Sequence, residues 1–223
     1  MSTVGGPRVR GYRSERRDEQ ARSTRRRIVA AAAEEFRSCG YAGTTVRAVA
    51  RSASVSPATV ELAFGTKAAL LKAAIDEAIA GDDEPVAVLD RDWAAAAESA
   101  DDTWEFLARS VAVLGPAMAR SAGLVSAVLA PGAPTELADL RDRLVDQRAR
   151  TAGWLVDQLA AHRGLRTGLT REEAVDTVWM LMDPAVYLQL TRFRGWDLPR
   201  YQGWIAGSLT RLLTPDHPRA EEP

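Results

Sequence analysis

The stretch "VSPATVELAFGTK", residues 55–67, decides how the N-terminal third of the chain folds. Ser56 followed by Pro57 is a helix-start signal. A serine at this position accepts a hydrogen bond from the first turn, and proline is favoured at the first helical position, where an N–H is not needed. Gly65 predicts the end of the helix, because glycine readily adopts the left-handed conformation in which many helices stop. The stretch therefore predicts a short helix over about residues 57–64.

The residues before this stretch predict two more helices. A helical pattern starts at Ser23 and ends in "CGYAG", with Gly40 in the usual C-terminal position. Thr44 or Thr45 then caps a short second helix, and about four residues, 52–55, connect it to the third. Three helices, the second and third joined by a tight turn, predict a helix-turn-helix. A fourth helix follows, capped by Thr66 and ending near Gly81.

Beyond the polar loop "GDDEPVAVLDRD" that begins at Gly81, every segment has a helical pattern and none shows strand alternation. Asp183-Pro184 interrupts one of these helices, because proline removes a backbone hydrogen bond and clashes with the preceding turn. Asp183 is predicted to cap the restarted helix, with a ligand contact as the alternative. The fold is therefore predicted to be all-α. The helices are expected at about residues 92–100, 102–119, 122–130, 135–162, 171–194 and 198–213.

Charge is divided unevenly along the 223 residues, although the net charge is only -1. Residues 1–80 carry 14 Lys and Arg against 8 Asp and Glu, whereas residues 81–223 carry 15 against 22. This asymmetry predicts that the N-terminal part contacts a polyanion. Residues 1–22 are rich in Gly, Arg and Glu and poor in apolar residues, which predicts a flexible basic arm. The alternative for the arm is a solubilising disordered tail.

Composition favours a cytoplasmic protein with a substantial core. The hydrophobic fraction is 46%, and the single cysteine, Cys39, allows no internal disulfide. The first residues show no apolar stretch of signal-peptide type. The most apolar region, Val111–Ala130, contains Pro116, Arg120 and two glycines, so it is predicted to be a buried helix and not a membrane span.

The segment "RRRIVAAAAEEFRSCGYAGTTVRAVARSASVSPATVELAFGTKAALLKAAI" resembles the N-terminal domain of tetracycline-repressor (TetR) family regulators over about 50 residues. The later helices resemble the family only in being helical. The residues that match the family pattern are Ile28, Phe36, Gly40, Tyr41, Thr44, Thr45, Val55, Ser56, Phe64, Lys67, Leu70 and Leu71. The chain departs from the pattern at Glu61, where the family usually has a phosphate-contacting tyrosine, and at Ala53-Ser54, where Ala-Gly is common.

The resemblance implies an N-terminal helix-turn-helix DNA-binding domain and a C-terminal helical domain for ligand binding and dimerisation. The expected divisions are a flexible basic arm at 1–22, the DNA-binding domain at 23–81 with its helix-turn-helix at about 45–64, the effector-binding and dimerisation domain at 82–214, and a disordered tail at 215–223. The residues expected to bind double-stranded DNA are Arg22, Arg25, Arg26, Thr45, Arg47, Ser56, Pro57, Ala58, Thr59, Glu61, Leu62 and Lys67.

The groove-facing side of the third helix is predicted to be small and apolar, with Val60 and Phe64 turned inward. Apolar side chains contact thymine methyl groups, and Glu61 is expected to accept from a cytosine amino group. The alternative for Glu61 is a position near a phosphate, which would repel it. Affinity is then expected from phosphate contacts by the arginines and by Lys67 at a helix N-terminus.

In the C-terminal domain, the resemblance implies a pocket for an unknown small-molecule effector and a homodimer interface made by the last two long helices. The expected pocket residues are Trp104, Met118, Trp154, Trp179 and Asp183. The expected dimerisation residues, which form two apolar stripes, are Val175, Val178, Met182, Val186, Trp204, Ile205, Leu209 and Leu212. Packing within one subunit is the alternative for each of them.

The sequence therefore predicts a homodimeric transcriptional regulator, a repressor that leaves a palindromic operator when an effector binds. A helical protein–protein interaction module with a non-functional DNA head is the alternative, and Glu61 is the feature in its favour. No arrangement of catalytic residues indicates an enzyme. His162 and His217 lack further ligands at metal-binding spacing, so neither a metal site nor a cofactor is expected.

Overall fold

A computed structural model describes residues 9–82 and 88–215, and every regular element in these two ranges is helical. The chain forms two compact units, residues 1–74 and 75–223, which are described separately. The prediction of an all-α fold is confirmed.

The first unit begins with a long helix, α1 (Val9–Gly43). Its regular course ends at Gly40, whose φ of 66° lies in the left-handed region that the predicted stop required. Residues 9–22 are helical, which corrects the predicted flexible arm for this segment. Their Arg, Glu and Gln residues are good helix formers, and extending a helix that is already nucleated costs little. Residues 1–8 lie outside the described part of the chain.

The short helices α2 (Val46–Ser52) and α3 (Pro57–Phe64) form the helix-turn-helix. Thr45 caps α2 by accepting a hydrogen bond from the Ala48 N–H at 3.1 Å. Thr44, the other candidate, is buried, and its hydroxyl donates to the Gly40 carbonyl at 2.8 Å. In the turn between the helices, Ser54 has a φ of 55°, which is unusual for a residue other than glycine.

The helix α4 (Lys67–Ala80) begins where the sequence predicts. Thr66 caps it, accepting from the Ala69 N–H at 3.0 Å. The division between the two units falls after Ala74, within this helix. Four core residues of the first unit are fully or almost fully buried, namely Ile28, Val49, Val60 and Leu70.

The second unit contains α5 (Asp92–Glu98), α6 (Thr103–Leu129), α7 (Ala138–Arg163), α8 (Arg171–Leu181), α9 (Pro184–Leu188) and α10 (Leu198–Leu213). Short 3-10 turns at Val88–Asp90 and Thr135–Leu137 precede α5 and α7, and a π-helical segment, Gln189–Phe193, follows α9. The break between α8 and α9 lies at the predicted place. Asp183 accepts from the Ala185 N–H at 2.7 Å, so its predicted capping role is confirmed.

The helix α6 lies at the centre of the second unit and packs against α5, α7, α9 and α10. It runs without interruption through residues 119–122, where the sequence predicted a break between two helices. Nothing in that segment stops a helix, and the Ser121 hydroxyl bonds back to the Ala117 carbonyl. The helix is long and apolar enough to cross a membrane by length and composition. Its buried residues Phe106, Leu107 and Val111 belong to the unit's core, as expected of a core helix.

We predict that Ser54→Gly stabilises the first unit by about 0.5–1 kcal/mol. The left-handed conformation costs an L-residue roughly 1–2 kcal/mol, and the greater unfolded-state entropy of glycine offsets about 0.5–1 kcal/mol of the gain. Hydrogen exchange at the buried amides of Val49 and Val60 measures the change. Ser52→Gly at the end of α2, where φ is not positive, is the control and should destabilise, in part because it also removes the hydrogen bond that the Ser52 hydroxyl donates to Glu35 at 2.8 Å. Faster exchange in the Ser54 variant would contradict the prediction.

Candidate nucleic-acid interface and ligand cavity

The helix α3 is fixed at both ends by its own sequence. The Ser56 hydroxyl accepts from the Thr59 N–H at 3.1 Å, and Pro57 occupies the first turn. Gly65 ends the helix with a φ of 73°, and its N–H donates to the Glu61 carbonyl at 2.8 Å. The eight-residue helix therefore presents a defined face.

That face is small and apolar. Pro57, Ala58 and Ala63 are exposed, and Leu62 is 91% exposed, the highest value among the exposed large apolar residues of the described chain. Val60 is buried, as predicted. A leucine so fully in solvent contributes nothing to the core, and a contact with thymine methyl groups or with another apolar surface would cover it.

Two polar side chains complete the face of α3. Thr59 is partly buried, and its hydroxyl lies 2.8 Å from that of Ser56, so both hydroxyls are engaged at the helix start. Glu61 is exposed, and within the described residues no ion pair involves its carboxylate. It is therefore accessible to a partner outside the chain.

The predicted arginines divide into two groups. Arg22 and Arg47 are exposed and accessible to phosphates, and Thr45 beside Arg47 is occupied as a cap. Arg25 donates to the Ala63 carbonyl at 3.3 Å, and its guanidinium lies 4.3 Å from the Phe64 ring centroid. Arg25 therefore supports the C-terminal end of α3. Arg26 is exposed and also interacts within the protein.

Arg27 has a role that the sequence reasoning missed. It donates to the Ala53 carbonyl at 2.9 Å and to the Ser54 carbonyl at 3.4 Å, which ties α1 to the turn between α2 and α3. Arg27 follows Arg25 and Arg26 directly in the sequence. No local signal shows that the third reaches a turn 26 residues away.

Lys67 differs from its predicted role at a phosphate. Its ammonium group donates to the Tyr41 carbonyl at 2.9 Å and to the Thr44 carbonyl at 3.3 Å, and it lies 4.2 Å from the Tyr41 ring centroid. Two of its three N–H donors are thus used inside the first unit. Lys67 joins the end of α1 to the start of α4. This structural role differs from the phosphate contact that was expected of it.

The second unit contains a cavity with a volume of ≈ 690 Å³ that includes the space at its open mouth. Most of the wall is apolar, and polar side chains come from Ser121, Gln147, Arg148 and Thr151. The lining residues are Ile79, Leu114, Ala117, Met118, Ser121, Val125, Leu144, Gln147, Arg148, Thr151, Ala152, Val178, Trp179, Met182 and Pro184.

Arg148 is the one charged residue of this wall. Its Nη2 donates to the Trp179 carbonyl at 2.9 Å and lies 2.7 Å from Asp183 Oδ2, and its guanidinium carbon is 4.1 Å from the Trp179 ring centroid. The Trp179 carbonyl accepts from Arg148 because the Asp183 N–H bonds to the Met180 carbonyl instead. Burial lowers the pKa of Arg148, and Asp183 counteracts that shift.

Only some of the predicted pocket residues line the cavity in the structure. Met118 and Trp179 line the cavity, and Asp183 reaches its wall through Arg148. Trp104 is 53% exposed and does not line it. Trp154 also lies elsewhere, where its indole N–H donates to Glu98 at 2.9 Å and its ring packs on Trp93. These two tryptophans are corrections, because helical periodicity does not show which interior space a side chain meets.

The predicted dimerisation residues differ in how much of each side chain is exposed to solvent. Val178, Ile205 and Leu209 are fully buried within one subunit, so they cannot lie in a dimer interface. Val175, Met182 and Trp204 are partly buried against the same core, Val186 is partly buried, and Leu212 is 45% exposed. The apolar stripe is real, but much of it covers the subunit's own core.

Two exposed apolar side chains near the same helices escaped the sequence reasoning, namely Met180 at 58% and Phe193 at 82%. Met180 lies off the helical stripe used for the prediction, whereas Phe193 follows Val186 by seven residues, with most of the π-helical segment between them. Deeper in this part of the unit, burial raises the pKa of the Tyr201 phenol. Its ring packs edge-on against Tyr187, with the ring centroids 4.8 Å apart.

No cluster of three or more His, Cys, Asp or Glu side chains suited to a metal occurs in the described ranges.

Solved structures with the same fold cover both units. FadR from Bacillus subtilis, solved with stearoyl-CoA, has a TM-score of 0.64 at 17% identity, covering 82% of this chain and 96% of its own. FadR from Bacillus halodurans, a fatty acid degradation regulator, has 0.63 at 18%, covering 83% and 93%. NalD, the secondary repressor of the MexAB-OprM multidrug efflux pump in Pseudomonas aeruginosa, has 0.62 at 18%, covering 91% and 100%.

The sequence itself matches one family. Among curated proteins none matches the chain significantly. The family model for bacterial regulatory proteins of the tetR family matches residues 28–74, which contain the end of α1, all of α2 and α3, and the first half of α4. This match identifies residues 28–74 as the N-terminal helix-turn-helix domain of the tetR family of bacterial regulatory proteins, and the solved structures show that their fold extends over most of the chain.

Proposed function

We propose that this regulator is a repressor, that it binds a palindromic operator as a homodimer through α3, and that a small molecule in the cavity of the second unit releases it. The observation that carries the DNA-binding part is the exposed face of α3, with Leu62 at 91% exposure beside the accessible Glu61. In a helix-turn-helix, the second helix of the motif enters the major groove.

The face of α3 specifies bases but supplies little affinity. Apolar contacts and one carboxylate discriminate between base pairs, whereas phosphate contacts by cations provide most of the binding free energy. Arg22 and Arg47 are exposed on the same unit and are suited to that role. We therefore expect strong dependence on salt together with sequence preference.

Two observations support effector release. One is the cavity in the second unit, and the other is the description of two solved structures that share the fold. FadR from Bacillus subtilis was solved with stearoyl-CoA, and NalD is named a repressor. An effector that binds one conformation better than another shifts the population toward the state with lower operator affinity. We expect no enzymatic activity.

A salt titration of binding to the DNA upstream of the chain's own coding sequence tests the DNA-binding proposal. Steep salt dependence with a preference for one palindromic site would support it. Binding without sequence preference, or no binding, would favour the alternative of a protein–protein interaction module, for which the carboxylate of Glu61 and the exposed Leu62 would form part of a protein contact.

We predict that Arg47→Ala weakens operator binding and lowers the slope of log affinity against log salt by roughly 0.9, the value for one lost phosphate contact. The loss should be the same for operator and unrelated DNA, because phosphates carry no sequence. Arg143→Ala, an exposed arginine of α7 in the second unit, is the control and should leave the slope unchanged. An equal slope for the Arg47 variant and the native chain would refute the contact.

We predict that Glu61→Gln costs about 1–3 kcal/mol on the operator and relaxes preference at one base pair, because an amide accepts less strongly from a cytosine amino group. Binding to the operator and to a single C-to-T variant measures both effects. Glu34→Gln, an exposed glutamate of α1, controls for the loss of one negative charge. Uniformly tighter binding to both DNAs would instead place Glu61 near a phosphate.

We predict that the chain sediments as a dimer at micromolar concentration and that Leu212→Asp raises the dimer dissociation constant about tenfold or more. Leu212 is a half-exposed apolar residue of α10, and truncating a central interface residue typically costs over 1 kcal/mol. Trp104→Gln, which changes an exposed apolar residue of α6, should leave dimerisation intact. A monomer in the native chain would contradict the proposed operator geometry as well.

A further inference from the structure

Some of the side-chain hydrogen-bond donors in the cavity wall are already used within the protein, and the others remain free to bind a ligand. The Ser121 hydroxyl donates to the Ala117 carbonyl at 2.7 Å, and the Thr151 hydroxyl donates to the Gln147 carbonyl at 3.1 Å. Both hydroxyl protons are thus used within their own helices. The remaining side-chain donors of the wall belong to Arg148, Gln147 and the indole N–H of Trp179.

Arg148 has donors left over. Both of its contacts, to the Trp179 carbonyl and to Asp183, use Nη2. Among the described residues nothing pairs with its Nε or Nη1, and neither atom is among the buried polar atoms that lack a partner. These N–H groups are therefore accessible to a small molecule beside the wall that Arg148 lines.

The charge of Arg148 is already balanced. Asp183 Oδ2 lies 2.7 Å from Nη2, and the two side chains are only 15% and 22% exposed. A second carboxylate brought to this pair would leave one negative charge without a counter-charge in a largely apolar cavity, which is strongly unfavourable. A neutral oxygen acceptor accepts the same hydrogen bonds without that penalty.

We propose that the effector is a neutral, largely apolar molecule with one carbonyl-type oxygen, and that this oxygen accepts a hydrogen bond from Arg148. The inference rests on the proposed function of the cavity and adds the chemical class of its ligand. The apolar body contacts Met118, Val178 and Met182, which line the same space. Asp183 sets the preference for a neutral ligand, because it neutralises the only charged residue of the wall.

The arrangement also keeps Arg148 protonated. Burial favours the neutral guanidine and lowers the pKa of Arg148, while the adjacent Asp183 carboxylate favours the charged form. An arginine side chain starts from so high a pKa that it remains a cation at neutral pH, and its N–H groups are donors only. The ligand must therefore supply the acceptor.

Displacement of the neutral dye Nile red from the full-length chain tests the proposal with three ligands of one chain length, namely methyl decanoate, decanoate and decane. We expect the ester to bind at least about tenfold more tightly than the carboxylate or the alkane. Tighter binding of decanoate than of the ester would overturn the proposed ligand class and leave effector binding intact. Failure of the dye and all three ligands to bind would overturn effector binding at this cavity as well.

Asp183→Asn gives the sharpest test, because asparagine caps a helix about as well as aspartate but removes the counter-charge, together with the hydrogen bond that Oδ2 accepts from Arg148. We expect decanoate affinity to rise about tenfold in this variant, with ester affinity changed less than about threefold. Asp157→Asn removes an acid paired with Arg171 at 2.7 Å elsewhere on the unit and should change neither. An unchanged ester-to-carboxylate ratio in Asp183→Asn would overturn the role of Asp183.

Arg148→Met provides a second variant that leaves the α9 cap in place. Without the guanidinium, the ester should lose its preference over decane, while decane affinity should change less than about threefold. A retained preference for the ester in this variant would show that Arg148 is not the donor and would overturn the proposal.

Discussion

Side-chain capping hydrogen bonds fix the first residue of most helices of this chain, namely α2, α3, α4, α6, α8, α9 and α10. Ser56 before Pro57 starts the helix that faces the DNA groove, and Asp183 before Pro184 restarts the helix beside the cavity. In both cases a side-chain oxygen accepts a hydrogen bond from an otherwise unpaired backbone N–H. The proline that follows has a φ angle already suited to the first turn of a helix. The helices in the two functional regions therefore start in the same way, with a side-chain cap followed by a proline.

Arginine side chains donate hydrogen bonds to backbone carbonyls at the C-terminal ends of several helices. Arg25 donates to the last turn of α3, Arg27 to the end of α2 and its turn, Arg120 to the Ala78 carbonyl near the end of α4, and Arg148 to the last turn of α8. The last carbonyls of a helix lack intrahelical partners, and a cation there also meets the negative end of the helix dipole. Arg25 and Arg27 belong to the basic N-terminal charge that suggested DNA binding, and their internal contacts leave fewer arginines for phosphates.

Arg148 joins structure to function most directly. It holds the Trp179 carbonyl and the Asp183 carboxylate on the two sides of the α8–α9 break, and it faces the cavity. A ligand that bonds to Arg148 acts on the residue that fixes this break. A single aspartate thus caps a helix and, in the proposed effector site, would select against anionic ligands.

The sequence determined the helix boundaries where caps, prolines and glycines mark them, because these residues act on neighbours within about four residues; it failed at residues 9–22 and 119–122, which are helical. Ser56, Gly65, Thr66 and Asp183 have the roles that their positions predicted. The exposed apolar face of α3 also followed from its periodicity. Together with the family motif over residues 28–74, these local signals were enough to predict the all-α fold and the helix-turn-helix.

Only the tertiary structure decided which face of each helix met which neighbour. Ile205 and Leu209 face the subunit's own core while Leu212, on the same predicted stripe, stays half exposed. Lys67 reaches the Tyr41 carbonyl, and Arg148 reaches Asp183, across 26 and 35 residues of sequence respectively. Such pairings depend on how whole helices pack, and periodicity within one helix carries no information about its partner.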